Sequence, residues 1–477
     1  MKKIALLLLF VGQIIWSNNL TITNVTKSGD NQLMFDISWD NSWKTSEYHD
    51  AVWIFIKYRN SSGQWQHLEI TTVNTSDFDG FMPTGNKGLI IYRLPSNSGT
   101  GTLSGTVQMN FDASTTGPLP DFKVFGIEMV RVNEGAFYVG DGVATNGFYR
   151  GDNNTLPYQV STSGLLTVGN TSNDINANGL SSNIPATYPT GFDEFYIMKY
   201  ELSQEQYVEF LNTLTAVQQQ ARTQSDLSTI TSANRYVLAN NNIPGRRNSI
   251  ACDANATNAM PITFYCDLNN NSTPNEANDG QNIACNYLTF NDCLAYLEWS
   301  GLSPLTDMEY EKAARGPSIP IVGDYANGTT LITSISTISN SGQINESVTN
   351  INTDDLCNMG NDSGSPIRVG TLATSSSTRL QSGGSFFGAM ELSGNITDLV
   401  IYTSDASLTY TSNNGSGQLD TSGNSTTWNG SFDAYTDKGG GYYGVFTVEI
   451  SSRSYLTDFN AMNNFNASQY GLRGAIR

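Results

Sequence analysis

Side chains able to do covalent or metal chemistry are few in this chain and unevenly placed. The five cysteines are Cys252, Cys266, Cys285, Cys293 and Cys357, and no thiol follows Cys357. The two histidines, His49 and His67, both lie near the start and read as ordinary half-exposed strand residues. A thiolate is both the soft metal ligand and the nucleophile, and an imidazole is the usual general base. Ser/His and Cys/His catalysis therefore lack their parts in the larger, C-terminal portion. Carboxylates are plentiful, 43 Asp and Glu against 24 Lys and Arg, but no spacing singles out a catalytic pair. The loop Asp267-Leu-Asn-Asn-Asn271 alternates oxygen ligands like the start of a calcium loop. Ser272 stands where such a loop needs glycine, and Asn278 replaces its bidentate glutamate, so a polar surface loop is expected. Cys266 and Cys285 flank that loop and form the expected disulfide; the odd count leaves at least one thiol over.

These residues need elements to hold them. The length of 477 residues calls for two or three domains. Only 14% of residues are charged, while Asn, Ser, Thr and Gly abound, as in a loop-rich extracellular protein. A net charge of −19 repels phosphate backbones, so nucleic-acid binding is not expected. Lys2, Lys3, the apolar run from Ile4 to Ile15 and the small Ser17 read as a signal peptide over 1–17, with an exported product. That run is too short for a membrane span, and no later stretch is apolar enough for one.

From 18 to 122 the chain reads as an all-β sandwich of immunoglobulin-like type. Alternation in Phe35–Trp39 marks a strand with one buried face, and Ala51–Arg59 is richer in β-branched and aromatic residues. Glu69–Val73, Gly88–Leu94 and Thr102–Phe111 continue the pattern, and Pro118 and Pro120 mark a linker. Phe122–Tyr138 is strand-like again. Gly140 to Gly191 reads as a polar surface insertion. Three helices announce themselves by N-terminal caps: Ser203 with Gln206, Thr289 with Asp292, and Thr306 with Glu309. Gly301 and Gly316 end the second and third. The charged residues of Glu309–Arg315 form either a solvated face or buried ion pairs.

The order of these elements resembles a known family. Glu128–Gly140 looks like its opening strand and turn, and Phe195–Glu201 with Gln206, Tyr207 and Phe210–Asn212 like its next strand and first helix. Tyr296–Trp299 and Pro304–Gly316 are the strongest match. Glu391-Leu-Ser-Gly-Asn-Ile-Thr-Asp398, Gly439–Gly441, Ser452-Arg453 and Gly471–Arg473 follow in order. From 123 to 477 the chain thus resembles the formylglycine-generating enzyme, or sulfatase-modifying factor, domain. The resemblance implies an α+β, irregular fold related to C-type lectins.

The same resemblance bears on function. Members of that family hold copper on two C-terminal cysteines, and counting back from Arg453 places those positions at Val445 and Ile450. Neither side chain can bind a metal or attack, so copper is not expected. A branch that holds iron on histidines is excluded, because the main domain has none. The resemblance also implies calcium on the side chains of Glu391 and Asp398 and the carbonyls of Gly394 and Ile396. A second site would draw on Asn358 and Asp362. Tyr442, Tyr443, Phe446 and Trp428 occupy the place of the lost active site; a sugar or protein contact surface and plain core packing are both open readings. The expected function is an exported, non-catalytic ligand-binding or structural component with a cell-envelope protein or glycan as partner. The alternative is a formylglycine-generating oxidoreductase that modifies sulfatases.

Overall fold

The computed structural model describes residues 19–112, 121–144, 146–230, 235–253, 261–350, 354–360, 364–374, 376–428, 434–444, 448–453, 457–458 and 467–477. The signal-like segment, Pro118 and Pro120 lie outside them. The architecture is mixed α+β. Nine strands open it: β1 Thr21–Lys27, β2 Gln32–Lys44, β3 Asp50–Arg59, β4 Trp65–His67, β5 Ile70–Asn74, β6 Phe78–Phe81, β7 Leu89–Arg93, β8 Gly99–Phe111 and β9 Phe122–Val132. One sheet has the order β1-β2-β8-β5. The other has eight strands: Ser303–Pro304, Gly474–Ile476, Phe195–Met198, β9, β3, β7 and β6 in order, with β4 beside β3.

Strands of both sheets enclose the N-terminal core, and the second sheet runs on through the 122/123 boundary. β3 pairs antiparallel with β9 from Asp50↔Val130 to Tyr58↔Phe122. Period-two alternation then sends the side chains of β3 into two cores. Val52, Ile54 and Ile56 pack with Phe35, Trp39, Val107 and Phe111 in the N-terminal core. Ala51, Trp53 and Phe55 pack with Phe125, Phe210 and Trp299 in the largest core. Burial on both faces explains why this strand is apolar from Ala51 to Ile56 rather than alternating.

Five helices follow among the described residues: α1 Gln204–Leu211, α2 Ala216–Ala221, α3 Phe290–Ser300, α4 Asp307–Arg315 and the short α5 Arg379–Ser382. The capping boxes at Ser203, Thr289 and Thr306 close as their sequence suggests. Gly301 ends α3 in the left-handed region at φ 73°. The helix α2, capped by Thr215 and Gln218, was not evident from the sequence. The N-terminal strands finish α3: Lys57 Nζ donates to Trp299 O at 2.6 Å and to Gly417 O at 2.7 Å, and Trp53 Nε1 donates to Ser300 O at 2.9 Å. A cation and an indole N–H thus satisfy carbonyls that a helix C-terminus leaves unpaired.

Three expectations need correction. His49 and His67 are buried rather than half-exposed, and burial pushes the His49 imidazole down to about 4 and His67 well below its usual value. His67 Nε2 lies 2.6 Å from Lys87 O, so it donates there, leaving Nδ1 to accept from Lys57. Cys266 and Cys285 form no disulfide; all five cysteines are free and buried. Finally, 140–191 is no loose insertion: Phe148, Tyr158, Val160, Leu166, Ile175, Ile184 and Tyr188 all enter the main core. Its apolar residues are too sparse to show a period, yet each docks singly. Among the described residues, no helix is long and apolar enough to cross a membrane.

Candidate functional site

Three clusters surround the C-terminal segment that ends at Arg453. In the first, α4 supplies Glu311 and Arg315. Arg315 grips Asp324 through Nε and a terminal nitrogen at 2.8 and 2.9 Å, and donates to Ser451 Oγ at 2.7 Å. Lys438 Nζ donates to Ile450 O at 2.6 Å and Ser452 O at 2.9 Å. Two buried cations therefore clamp the backbone at 450–452, and the charges of α4 are ion pairs rather than a solvated face. The Ile450 side chain is 1% exposed, packed with Val130, Leu305 and Tyr310. Val445 lies outside the described residues.

In the second cluster, Arg453 is fully buried. It donates to Asp307 Oδ2 at 2.8 Å, Asn146 O at 3.0 Å and Thr403 O at 2.8 Å. Its guanidinium is held between the rings of Phe148 and Tyr402, at 4.0 and 3.9 Å from their centroids. A planar cation stacked on two aromatics, with its fork filled by fixed acceptors, is a tie between elements and not a free catalytic group.

The third cluster holds the residues implied for calcium. Arg473 donates from Nε to Asp398 Oδ2 at 3.0 Å, and from its terminal nitrogens to the carbonyls of Met198, Lys199 and Met390. Glu391 Oε1 accepts from Gly370 N at 2.9 Å. Glu201 accepts from Ile396 N at 3.0 Å and from the Asn395 amide. Asn358 Nδ2 donates to Asn395 Oδ1 at 2.8 Å and Ser365 O at 3.2 Å. Gly394 is locked against Gly439 O and Cys357, whose sulfur an added Cβ would meet at 2.3 Å.

Two buried oxygens, Glu391 Oε2 and Asp398 Oδ1, have no hydrogen-bond partner, which would suit a hard cation. Against this, the Arg473 guanidinium already balances the charge of these carboxylates. Among the described residues no group of three or more His, Cys, Asp and Glu side chains is placed to hold a metal. A cation here would share these carboxylates with Arg473, which donates to Asp398 Oδ2; Asp362 lies outside the described residues.

Burial pushes Glu391 up to about 7 and Asp398 up to about 6, with Glu201 also raised; the Arg473 guanidinium opposes the rise in all three, and neighbouring carboxylates add to it for Glu391 and Glu201. The folded chain thus holds the Glu391 proton more tightly than the unfolded chain does, where it leaves near pH ~4.3. This contribution to stability is complete below the unfolded value and is lost as pH rises through about 7. Relative to Glu391→Gln, the wild-type melting temperature is expected to fall steadily from about pH 5 to about pH 8. A flat or rising difference in paired melts would contradict it.

The expected aromatic surface is largely core. Trp428 is buried in the main core, and Tyr442 is buried beside Tyr200, Met390 and Ile396 with its hydroxyl on Ser468 O at 2.6 Å. Neither can touch a ligand, because each packs inward with a different cluster. Of the three described, Tyr443 reaches solvent, 48% exposed, with the Arg246 guanidinium 4.8 Å over its ring. Phe446 lies outside the described residues.

Sequence reasoning missed an open cavity of about 400 Å³ lined by Gly142, Val143, Ala144, Asn146, Gly147, Phe148, Tyr149, Asn154 and Asn178. It abuts the Arg453 segment: Asn146 takes a hydrogen bond from Arg453, and a Cβ on Gly147 would lie 3.4 Å from Ser451 O. The asparagine-rich composition of 140–191 was its only signal, and that composition equally describes any polar loop.

With this geometry in view, comparison with protein families matches residues 126–476 to the sulfatase-modifying factor enzyme 1-like domain. The chain belongs to that family. No curated protein matches it.

Proposed function

We propose that this chain is an exported, non-catalytic member of the sulfatase-modifying factor family that works as a ligand-binding or structural component. The observation that carries the reading is the state of the thiols. All five are buried, none follows Cys357, and burial pushes Cys252 and Cys357 up to about 12 and the other three higher than usual. A protonated, enclosed thiol is a poor copper ligand and a poor nucleophile. Export rests on Lys2, Lys3, the apolar run to Ile15 and Ser17. The reading takes the scaffold as related to C-type lectins, where loops over a stiff core do the binding. A glycan or cell-envelope protein is the proposed partner. Incubation with copper and a cysteine-containing sulfatase peptide tests the reading, and is expected to leave the peptide thiol intact. The second reading, a formylglycine-generating oxidoreductase, has the family membership in its favour.

A further inference from the structure

We infer that the cavity between 142–149, Asn154 and Asn178 is a binding site for a neutral saccharide. The inference rests on the non-catalytic reading above and says where, and to what chemistry, the chain would bind. The volume of about 400 Å³ falls in the ~300–1,000 Å³ range of small-molecule sites.

The lining decides the ligand class. Asn154, exposed at the rim, offers an N–H donor and a carbonyl acceptor, and Asn178 adds its Oδ1, the pairing that sugar hydroxyls satisfy; Asn146 is already engaged by Asn178 and Arg453. Half-buried Tyr149 adds a ring whose apolar face suits the C–H side of a pyranose. Among the described lining residues no side chain is charged, so nothing would pair a phosphate, carboxylate or ammonium. Arg453 sits behind Phe148 and is already paired with Asp307, and Arg150, next to Tyr149, is paired with Asp152. An extended peptide could use the same amides, but it would need a groove, and this is a single cavity.

The walls are held in place before any ligand arrives. Asp141 Oδ1 accepts from Val143 N at 2.9 Å and Ala144 N at 2.7 Å, and its Oδ2 accepts from Gly323 N at 3.0 Å. Gly142 sits at φ 82°, and an added Cβ there would meet Thr155 O at 2.1 Å, so the two loops touch. Asn178 Nδ2 donates to Asn146 Oδ1 at 3.1 Å across the cavity, while Tyr402 OH donates to Asn178 O at 2.5 Å. A fixed polar cavity loses little ordering entropy when it binds.

The experiment is saturation-transfer NMR and calorimetry on the full chain with cellobiose, maltose, mannobiose, xylobiose and N,N′-diacetylchitobiose. At least one is expected to bind. Asn154→Trp, at an exposed position where the indole would fill the mouth, and Tyr149→Ala are each expected to weaken that binding by about tenfold or more. Tyr443→Ala, on a separate surface, should leave it unchanged. Thermal melts of each variant establish that it is folded. No binding of any of the five, or binding untouched by both cavity variants, overturns the proposal. So does cavity-dependent binding of a neutral Gly-Ser peptide with none of the sugars. Failure here with no thiol oxidation removes the saccharide site alone; copper-dependent oxidation removes the non-catalytic reading on which it rests.

Discussion

Removing residues 1–121 is expected to leave the remaining chain unable to fold. The family match begins at 126, which suggests a domain that could stand alone. Its strand β9 nevertheless pairs over its first nine residues with β3, in the part removed. Truncation would strip Trp53 and Phe55 from the main core, where Phe55 stacks on Phe125 with centroids 5.1 Å apart and meets Trp299 edge-on at 5.0 Å. Losing one buried aromatic typically costs ~3–5 kcal/mol, and a whole domain is stable by only ~5–15 kcal/mol. The carbonyls of Trp299 and Ser300 would also lose Lys57 and Trp53. Expression of 122–477 is expected to give insoluble protein or no cooperative melt. A soluble chain melting near the full-length temperature would refute the shared sheet as a structural necessity.

Arg473→Met is expected to destabilise the protein by ~3–5 kcal/mol, the usual cost of stranding buried charge. The guanidinium is enclosed and pairs with Asp398 while Glu201 and Glu391 lie in its field. Methionine keeps much of the volume, so the loss reports charge rather than a cavity. The stranded carboxylates regain neutrality by binding protons, so the penalty should shrink at mildly acidic pH. Denaturant melts of both proteins at neutral and acidic pH check this; a loss that is small, or that grows on acidification, would contradict it.

Much of the scaffold was legible in local sequence. Capping boxes at Ser203, Thr289 and Thr306 are chemistry within four residues, and alternation in Phe35–Trp39 needs no knowledge of the partner strand. What escaped depends on distance along the chain. Nothing local distinguishes a strand buried between two cores from one at the centre of a sandwich, so β3 read as part of a separate domain. For Trp428 and Tyr442 a contact surface and core packing both stayed open, because composition shows apolar rings but not which way they face. Gly140 to Gly191 hid both its core residues and its cavity, because single docked side chains leave no period. The charges at Arg453 and Arg473 were visible as residues, yet their partners Asp307 and Asp398 lie 146 and 75 positions away.

These buried ties bear on the proposed loss of the family's chemistry. The segment that would carry reactive thiols is held by Arg315, Lys438 and Arg453, with Ile450 packed against Val130 and Tyr310. The scaffold is retained, and the position where a metal ligand would stand is apolar. Under the proposed reading, such a family member keeps the scaffold and uses its loops for binding rather than for thiol oxidation.

The central claim is tested most directly by incubating the full chain with copper, oxygen and a cysteine-containing sulfatase peptide, then weighing the peptide by mass spectrometry. The account predicts that its cysteine stays unconverted whether or not copper is present. Copper-dependent conversion of that cysteine to formylglycine would contradict it.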